Sequence, residues 1–377
     1  MAEKFKIAVL VDSFARGGVA QALQVMLQFL PKDRYDITLF IKKTGGDMLP
    51  IPEGIRWLPI PDERQCSLGN RVMELLSVRN FSKKQVYAAR SHGMLPGEYD
   101  CAVGYQMVSN EITVLTLEKV RAKRKLLWLH GEKKYREQDR PFFDALYAGA
   151  DRIVCVSLDT EKRFRGLMKV SGQKTVTIHN FYDIPAIRSR AAEPAEGMVP
   201  HAVTIASVGR ISKEKGFDRV PAVMELLLGA GYDVHWYIVG DGNTRPELEA
   251  ELGKRELLDR VHLLGHRKNP YPYIRACDLY VQPSYTEGFC TSTMEAKILY
   301  KSVVTTDVPG MREQFVSGEN GLIVESSAEG IFDGIRQLLD DPALRERIEN
   351  KLRREPITND EVLRQTMAVI EGRPLEK

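Results

Sequence analysis

Short apolar stretches of strand-forming residues recur along the chain and alternate with stretches whose apolar positions follow helical spacing. In the first half the predicted strands are 5–12, 35–42, 99–106, 125–130, 151–157 and 174–180. In the second half they are 202–209, 234–240, 261–265, 278–284, 302–307 and 321–325. Nearly continuous apolar strands separated by helices are typical of a parallel sheet covered on both faces. The pattern therefore predicts an α/β fold in each half.

The two series of strands are separated by a segment without periodicity that is rich in Ala, Pro, Glu and Gly. A chain of 377 residues is also long for one core, since single cores stop growing near roughly 250–300 residues. We therefore expect a Rossmann-like domain over 1–190, a linker over 191–201 and a second Rossmann-like domain over 202–355. The tail, 356–377, is expected to form a helix that returns to the first domain. The two parallel sheets are expected to face each other across a ligand-binding cleft.

The composition is that of a folded protein without a membrane-spanning segment or a cysteine-based zinc site. With 43% hydrophobic and 28% charged residues, the chain has the composition of an ordinary folded protein. The apolar run 7–11 is too short for the core of a signal peptide, and no later run is long enough to span a membrane. The five cysteines are scattered and never in C-x-x-C spacing, which favours reduced thiols and no structural zinc. We therefore expect a cytoplasmic protein.

Charge is distributed unevenly between the two halves. Residues 1–185 hold 29 basic and 21 acidic residues, and residues 186–377 hold 25 and 30. Segments 71–90 and 119–125 place basic residues among apolar ones, a composition that suits an anionic membrane surface or a polyprenyl-diphosphate-linked acceptor. A peripheral position on the inner face of the plasma membrane follows from that interpretation, and no nucleic acid is expected. A solvated surface helix explains the same segments equally well.

Three familiar nucleotide-binding motifs are absent. "VGDGNTR" at 239–245 places a glycine pair after a strand, but Arg245 stands where the third glycine of a dinucleotide motif is required. The chain has no P-loop and no Asp-x-Asp, so the sequence predicts neither a nicotinamide cofactor nor a metal-bridged nucleotide.

Two other segments follow predicted strands and are suited to phosphate. Gly17 and Gly18 lie between the first strand and a helix beginning near Val19, where backbone N–H groups can approach an anion. Gly-Gly is also a common strand-to-helix turn. Arg210 and Lys215 in "VGRISKEKGFD" follow the first strand of the second half and suit a diphosphate, Lys215 as a mobile point charge. A solvated run of charges is the alternative.

"EGFCTSTME" at 287–295 carries two glutamates separated by a turn and by a helix start at which Thr291 is the expected N-cap. A continuous helix would separate their Cα atoms by about 12 Å, too far for the roughly 5–5.5 Å carboxyl pair of a retaining glycosidase. The expected loop does not exclude such a pair but gives it no support. Cys290 at a helix start could have a lowered pKa and act as a nucleophile, but no local signature ties His130 or His179 to it. In the remaining interpretation, the helix start binds a diphosphate and Glu295 accepts hydrogen bonds from the two hydroxyls of a ribose. Glu287 then faces the sugar beyond the phosphates.

Together these motifs resemble the retaining nucleotide-sugar glycosyltransferases of family 4, which have the GT-B fold. The resemblance is dense over 205–325 and thin over 1–200. The matching pieces are "GG" at 17–18, "GRISKEKGFD", "VGDG", "VHLLGH", "ACDLYVQPSYTEGF", the Glu-x7-Glu pair, "TTDVPGMREQF" and "ENGLIVE".

The resemblance implies a metal-independent transfer of a sugar, most commonly from a UDP-linked donor, to the hydroxyl of a glycan or lipid-linked acceptor, without a protein nucleophile or a cofactor. It implies a donor-binding set of Gly17, Gly18, Arg210, Lys215, Gly288, Phe289, Cys290, Thr291 and Glu295. It implies a catalytic set of His130, Arg210, Lys215 and Glu287. A buried structural histidine remains the alternative for His130.

The chain departs from the family pattern at three places. Ala20 stands where a glutamate is common, Cys290 where proline is usual, and "EAKILYKSVV" replaces the more common "EAMAxGxPVV". These departures leave the nucleotide contacts intact and put the sugar and acceptor contacts in doubt. A nucleotide-sugar epimerase and a non-catalytic partner subunit therefore stay open as alternatives.

Overall fold

The computed structural model describes residues 3–15, 17–45, 47–61, 72–73, 81–106, 110–131, 136–169, 174–199, 203–355 and 357–375. The chain forms two compact units. One comprises Met1–Tyr182 with Asn359–Lys377, and the other comprises Asp183–Thr358. Each unit contains one sheet of parallel strands connected by helices, as predicted.

The described part of the first unit contains seven parallel strands in the order β3-β2-β1-β4-β5-β6-β7. The strands are β1 Phe5–Ser13, β2 Tyr35–Lys43, β3 Arg56–Pro59, β4 Glu98–Gln106, β5 Arg121–Leu129, β6 Arg152–Cys155 and β7 Thr175–Thr177. The helices before the boundary are α1 Gly18–Phe29, α2 Phe81–Arg90, α3 Asn110–Glu118, α4 Arg140–Tyr147 and α5 Leu158–Leu167.

Two features of this sheet differ from the sequence prediction. The edge strand β3 was not predicted, because it is only four residues long, includes Pro59 and leaves Trp57 43% exposed. β5 begins at Arg121, which pairs with Glu98 of β4. The interpretation of 119–125 as a surface helix is therefore wrong, since most of this basic segment is the amino half of a strand.

The described part of the second unit contains six parallel strands in the order β10-β9-β8-β11-β12-β13. The strands are β8 Val203–Val208, β9 Val234–Val239, β10 Val261–Gly265, β11 Leu279–Gln282, β12 Val303–Thr306 and β13 Leu322–Val324. The helices are α6 Ile184–Arg190, α7 Val220–Gly229, α8 Arg245–Lys254, α9 Tyr271–Ala276, α10 Thr291–Ile298, α11 Met311–Gln314, α12 Ala328–Asp340 and α13 Pro342–Arg354.

The boundary between the units lies after Tyr182, so residues 183–190 belong to the second unit and not to the first domain as predicted. These residues form α6, whose Ile187 is buried. The Arg190 guanidinium donates to the Lys268 carbonyl at 2.9 Å, and the Asn269 amide donates to the Arg190 carbonyl at 2.8 Å. Tertiary contacts of this kind leave no periodicity in the sequence.

The last helix, α14 Asp360–Glu371, belongs to the first unit. Its Glu371 accepts hydrogen bonds from the Tyr35 hydroxyl and, at 2.7 Å, from Arg34. Ahead of the helix, the Asn359 side chain pairs with the backbone of Tyr182 at 3.0 and 2.7 Å. Among the helices in the described ranges, none is long and apolar enough to cross a membrane.

Candidate functional site

The second unit brings two loops together at the carboxyl ends of neighbouring strands. β8 leads into a 3-10 turn, Lys213–Lys215, and β11 leads through residues 283–290 into α10. Gly216 has a φ of 67°, and a Cβ there would lie 2.0 Å from the Pro283 carbonyl oxygen. Only glycine permits this approach. It sets the first loop directly against the second.

An ion pair joins the two loops. The Lys215 ammonium donates to both carboxylate oxygens of Glu287, at 2.7 and 2.9 Å, and the Glu287 side chain is only 8% exposed. Burial lowers the pKa of Lys215, but its interactions with Cys290 and Glu287, including the hydrogen bond to Glu287, outweigh burial and raise the pKa. The sequence predicted a mobile cation at Lys215. The structure holds that cation against a carboxylate instead.

Arg210 lies at the same end of β8 and differs from Lys215 in its surroundings. Its side chain is exposed. Across the residues that the structure describes, its guanidinium forms no hydrogen bond or ion pair. Its charge is among the influences that lower the pKa of Glu214, after the hydrogen bonds of that carboxylate to Ser212 and to the backbone. Arg210 is therefore a cation that can turn to an anionic ligand without breaking a contact.

The helix α10 begins beside the ion pair. Its N-cap is Cys290, so Thr291 is the first helical residue and not the predicted N-cap, and no side chain caps the helix. Gly310 has a φ of 82°, and a Cβ there would lie 2.5 Å from the Gly288 carbonyl oxygen. The segment Gly288–Thr291 therefore rests closely on the start of α11. The start of α10, which carries the positive end of the helix dipole, is suited to binding an anion.

Cys290 is buried, with 2% of its surface exposed, and its Sγ lies 3.3 Å from the Ser292 Oγ. Burial raises the pKa of the thiol, and the charge of Glu287 raises it further. The expectation of a lowered pKa at this helix start is therefore wrong, because burial outweighs the lowering influences of Lys215 and of the hydrogen bonds with Ser292 and the Thr293 backbone. The structure gives a cysteine nucleophile no support.

Glu295 lies one turn inside α10. The Tyr271 hydroxyl approaches its Oε1 at 3.5 Å, and the Arg190 guanidinium lies 5.0 Å from the centre of the Tyr271 ring. Although part of the side chain reaches solvent, burial raises the pKa of Glu295 to about 7, against the smaller opposing influences of Tyr271 and Arg190. This carboxyl group therefore titrates in the neutral range.

In the first unit, Gly17 and Gly18 begin α1. Gly17 is the N-cap with an extended backbone, and no side chain caps the helix. A Cβ at Gly18 would meet no other atom within 4 Å. The described part of this unit therefore does not require glycine at position 18, where there is room for a side chain.

His130 directly follows β5. Its ring lies 4.6 Å from the Tyr105 ring, and its Nε2 is buried without a hydrogen-bond partner in the described part of the chain. Burial lowers the pKa of His130 to about 3, so the imidazole is neutral at physiological pH. A neutral ring can exchange one hydrogen bond with a ligand hydroxyl but carries no charge to stabilise a phosphate.

Sequence reasoning missed the polar side chains behind Glu287. Gln282 and Ser284 are fully buried, and the Ser284 hydroxyl donates to Glu287 Oε1 at 2.6 Å. Two polar residues at the end of the otherwise apolar segment "LYVQPS" could have pointed to them. In the described ranges, no group of three or more His, Cys, Asp or Glu side chains is arranged to hold a metal ion.

Comparison with known proteins places this geometry in context. Residues 192–355 match the family model described as "Glycosyl transferases group 1". A diphospho-undecaprenol 4-alpha-N-acetylgalactosaminyltransferase of Campylobacter jejuni is 30% identical over 219 residues, 58% of either chain. The capsular polysaccharide biosynthesis glycosyltransferase CapM of Staphylococcus aureus is 31% identical over 157 residues, 39% of this chain and 41% of CapM. The chain spans about half the length of the curated relatives that it matches.

The fold is shown by solved structures. Anabaena HepE in complex with UDP superposes with a TM-score of 0.73 at 17% identity, covering 98% of this chain and all of HepE. At this identity the likeness concerns the fold alone. The predicted GT-B fold, with two parallel-sheet units, is confirmed.

Proposed function

We propose that this chain is a retaining, metal-independent glycosyltransferase that moves a sugar from a nucleoside-diphosphate donor to an acceptor hydroxyl. The main support is that three groups lie at the carboxyl ends of neighbouring strands, β8 and β11, in the second unit. These are the exposed Arg210, the start of α10 without a side-chain cap, and the Lys215–Glu287 pair. All three lie inside the region that matches the family of group 1 glycosyl transferases.

Each group has a proposed role. Arg210 binds the diphosphate by its planar fork, and the backbone from Gly288 to Thr291 donates to the same oxygens. Glu295 accepts the two hydroxyls of the ribose. Glu287 holds the transferred sugar, while Lys215 pairs with its carboxylate and adds positive charge beside the phosphates.

The hard step is the cleavage of the bond between the anomeric carbon and the phosphate oxygen. The leaving nucleoside diphosphate takes the bonding electron pair, and the sugar becomes oxocarbenium-like. Arg210 and the α10 start stabilise the charge that develops on the leaving group. The acceptor oxygen attacks the same face and passes its proton to a phosphate oxygen, so no protein nucleophile is needed.

The first unit supplies three further proposed contacts. Gly17 and Gly18 offer an open helix start to the phosphates. His130 exchanges a hydrogen bond with a hydroxyl of the sugar, which suits its neutral ring and its unpartnered Nε2. These three residues are the part of the proposal that the first unit supplies.

UDP is the proposed nucleotide, because the fold is shared with a protein solved with UDP. A lipid-linked or glycan acceptor is proposed because the relative from Campylobacter jejuni is named for a diphospho-undecaprenol acceptor.

A membrane surface receives less support. In the described part of the first unit, Lys83, Arg90 and Lys123 each pair with a carboxylate of the same unit. Residues 71 and 74–80 of the predicted basic segment lie outside the described residues. The described contacts favour an ordinary solvated surface.

The proposal is tested with a panel of nucleotide sugars. A true donor should raise the midpoint of thermal unfolding, since a ligand at 100 times its Kd stabilises by about 2.7 kcal/mol. The stabilising donor is then incubated with and without glycan acceptors in the presence of EDTA. Transfer in EDTA with retained configuration supports the proposal. Epimer formation without an acceptor would identify an epimerase, and donor binding without transfer or hydrolysis would identify a non-catalytic subunit.

Donor affinity should depend on the ionisation of Glu295. With a pKa of about 7, the carboxylate fraction rises about tenfold between pH 6 and pH 8, and only the carboxylate accepts two hydroxyls. We expect the Kd measured by calorimetry to fall by about that factor over this interval. The Glu295→Gln variant should bind the donor weakly, and its Kd should not depend on pH in this interval. The control is Glu329→Gln, a change at an exposed position on α12, which should bind the donor as the wild type does.

The ionisation of Glu295 should also make the free energy of unfolding depend on pH. Its pKa is raised on folding, so between its ordinary 4.5 and about 7 the folded state keeps a proton that the unfolded state has lost. The stabilising contribution is therefore present at low pH and is lost as pH rises through 7. Glu295→Gln should flatten this slope, and an unchanged slope would contradict the assignment.

Gly18→Ala should lower turnover without lowering stability. The added methyl group meets no protein atom and replaces the most flexible residue, so the free energy of unfolding should stay equal or rise by up to about 1 kcal/mol. Turnover should fall at least tenfold, because the methyl group occupies the space that the donor phosphates require. Gly229→Ala, in the helix α7 and equally uncrowded, is the control and should leave turnover unchanged.

A further inference from the structure

A row of buried polar side chains stands behind Glu287. Tyr280, Gln282 and Ser284 point to the same face of β11 and its continuation, and all three are fully buried. The Tyr280 hydroxyl lies 3.0 Å from Gln282 Oε1, and Gln282 Nε2 lies 2.9 Å from Ser284 Oγ. The row ends at the 2.6 Å contact between Ser284 Oγ and Glu287 Oε1.

The direction of donation along this row is determined by its ends. Glu287 is a carboxylate beside Lys215 and can only accept, so Ser284 must donate its proton to it. The Ser284 oxygen then accepts from the Gln282 amide nitrogen. The amide oxygen of Gln282 in turn accepts from Tyr280 and, at 3.3 Å, from Ser292. Every bond donates toward the carboxylate, an arrangement in which each hydrogen bond strengthens the next.

This arrangement limits what Glu287 can still bind. Oε1 accepts from both Ser284 and Lys215, which uses its two lone pairs. Among the residues that the structure describes, Oε2 accepts from Lys215 alone, which leaves it one lone pair. Glu287 can therefore accept one further hydrogen bond, and the free position is on Oε2.

We propose that Ser284, held by Gln282, is a positioning residue that orients the Glu287 carboxylate so that Oε2 alone receives one hydroxyl of the transferred sugar. The inference rests on the proposed function, in which Glu287 holds that sugar. The backbone of Ser284 is anchored separately, because the Thr306 hydroxyl donates to its carbonyl at 2.6 Å. Removing the Ser284 hydroxyl therefore changes the orientation of Glu287 and not the course of the loop.

Ser284→Ala should lower kcat about ten- to a hundredfold, the cost of a small misplacement of a reacting group. The KM of the donor should change less than about threefold, because the diphosphate and ribose contacts lie elsewhere. The matched control is Ser302→Ala, which removes another fully buried hydroxyl of the second unit, 3.5 Å from the Arg345 carbonyl. Equal kcat losses in the two variants would overturn the proposal.

Two further measurements separate positioning from a general loss of structure. Ser284→Thr restores the hydroxyl and should recover most of kcat, and Ser284→Ala should cost nothing more when added to Glu287→Gln. Independently of activity, a crystal structure of Ser284→Ala should show the Glu287 carboxylate rotated about an intact Lys215 contact. An unmoved carboxylate overturns the inference, whereas a moved carboxylate in a protein that transfers no sugar overturns only the proposed function.

Discussion

Lys215→Ala is expected to destabilise the second unit by about 3–5 kcal/mol, because it leaves the carboxylate of Glu287 buried without its counter-ion. The expected loss is far above the ordinary effect of a lysine on a protein surface. Denaturant unfolding followed by the fluorescence of Trp236, the one tryptophan of the second unit, measures it.

The double variant Lys215→Met with Glu287→Leu should be more stable than Lys215→Ala, since neither charge then remains buried alone. The control is Lys351→Ala, which breaks an exposed pair with Glu319 whose side chains are 40% and 53% exposed. That variant should lose at most about 1 kcal/mol. If Lys215→Ala costs no more than Lys351→Ala, the pair is not the buried clamp between the two loops that the geometry indicates.

Arg210→Ala is expected to lower kcat on the order of a hundredfold or more, since removing one preorganised donor from a developing charge costs about 2.7–4 kcal/mol of barrier. Its stability should stay within about 0.5 kcal/mol of wild type, because the side chain is exposed and has no partner in the described part of the chain. Steady-state transfer rates and thermal unfolding of the same preparation measure both quantities.

Two variants sharpen this prediction. Arg210→Lys keeps the charge without the fork and should recover only part of the rate. Lys213→Ala removes an exposed cation from the same loop and should change the rate little. Unchanged transfer in Arg210→Ala would show that the diphosphate is bound by other groups.

Truncation of Arg210 is expected to lower turnover, whereas truncation of Lys215 is expected to lower stability. Both residues were nevertheless predicted from one stretch of sequence as a pair of phosphate-binding cations. The local sequence marks both as basic residues after a strand. It contains no information on which of them meets a carboxylate 72 residues further along the chain. That contact depends on the close approach of Gly216 to Pro283, a property of two loops in space.

Cys290 shows the same limit. A helix start predicts a lowered pKa from local electrostatics, and the prediction failed because the thiol is enclosed by the surrounding residues of the second unit. Similarly, Glu295 was predicted as a ribose ligand, but its pKa of about 7 follows from burial by the surrounding elements, against the lowering influence of Tyr271. Desolvation is a sum over neighbours from many segments, so no local motif reports it.

By itself, the sequence determined the α/β class, nearly all of the strands, the presence of two units and the motifs from which the GT-B fold was predicted. It could do so because periodicity and turn residues are local, and each strand is marked by its own apolar run. Tertiary structure alone decided the edge strand β3, the unit boundary at Tyr182, the pairing of Lys215 with Glu287 and the buried row that ends at Ser284. The physical reason is that these features depend on distances between residues far apart in the chain, which are defined only once the strands have assembled.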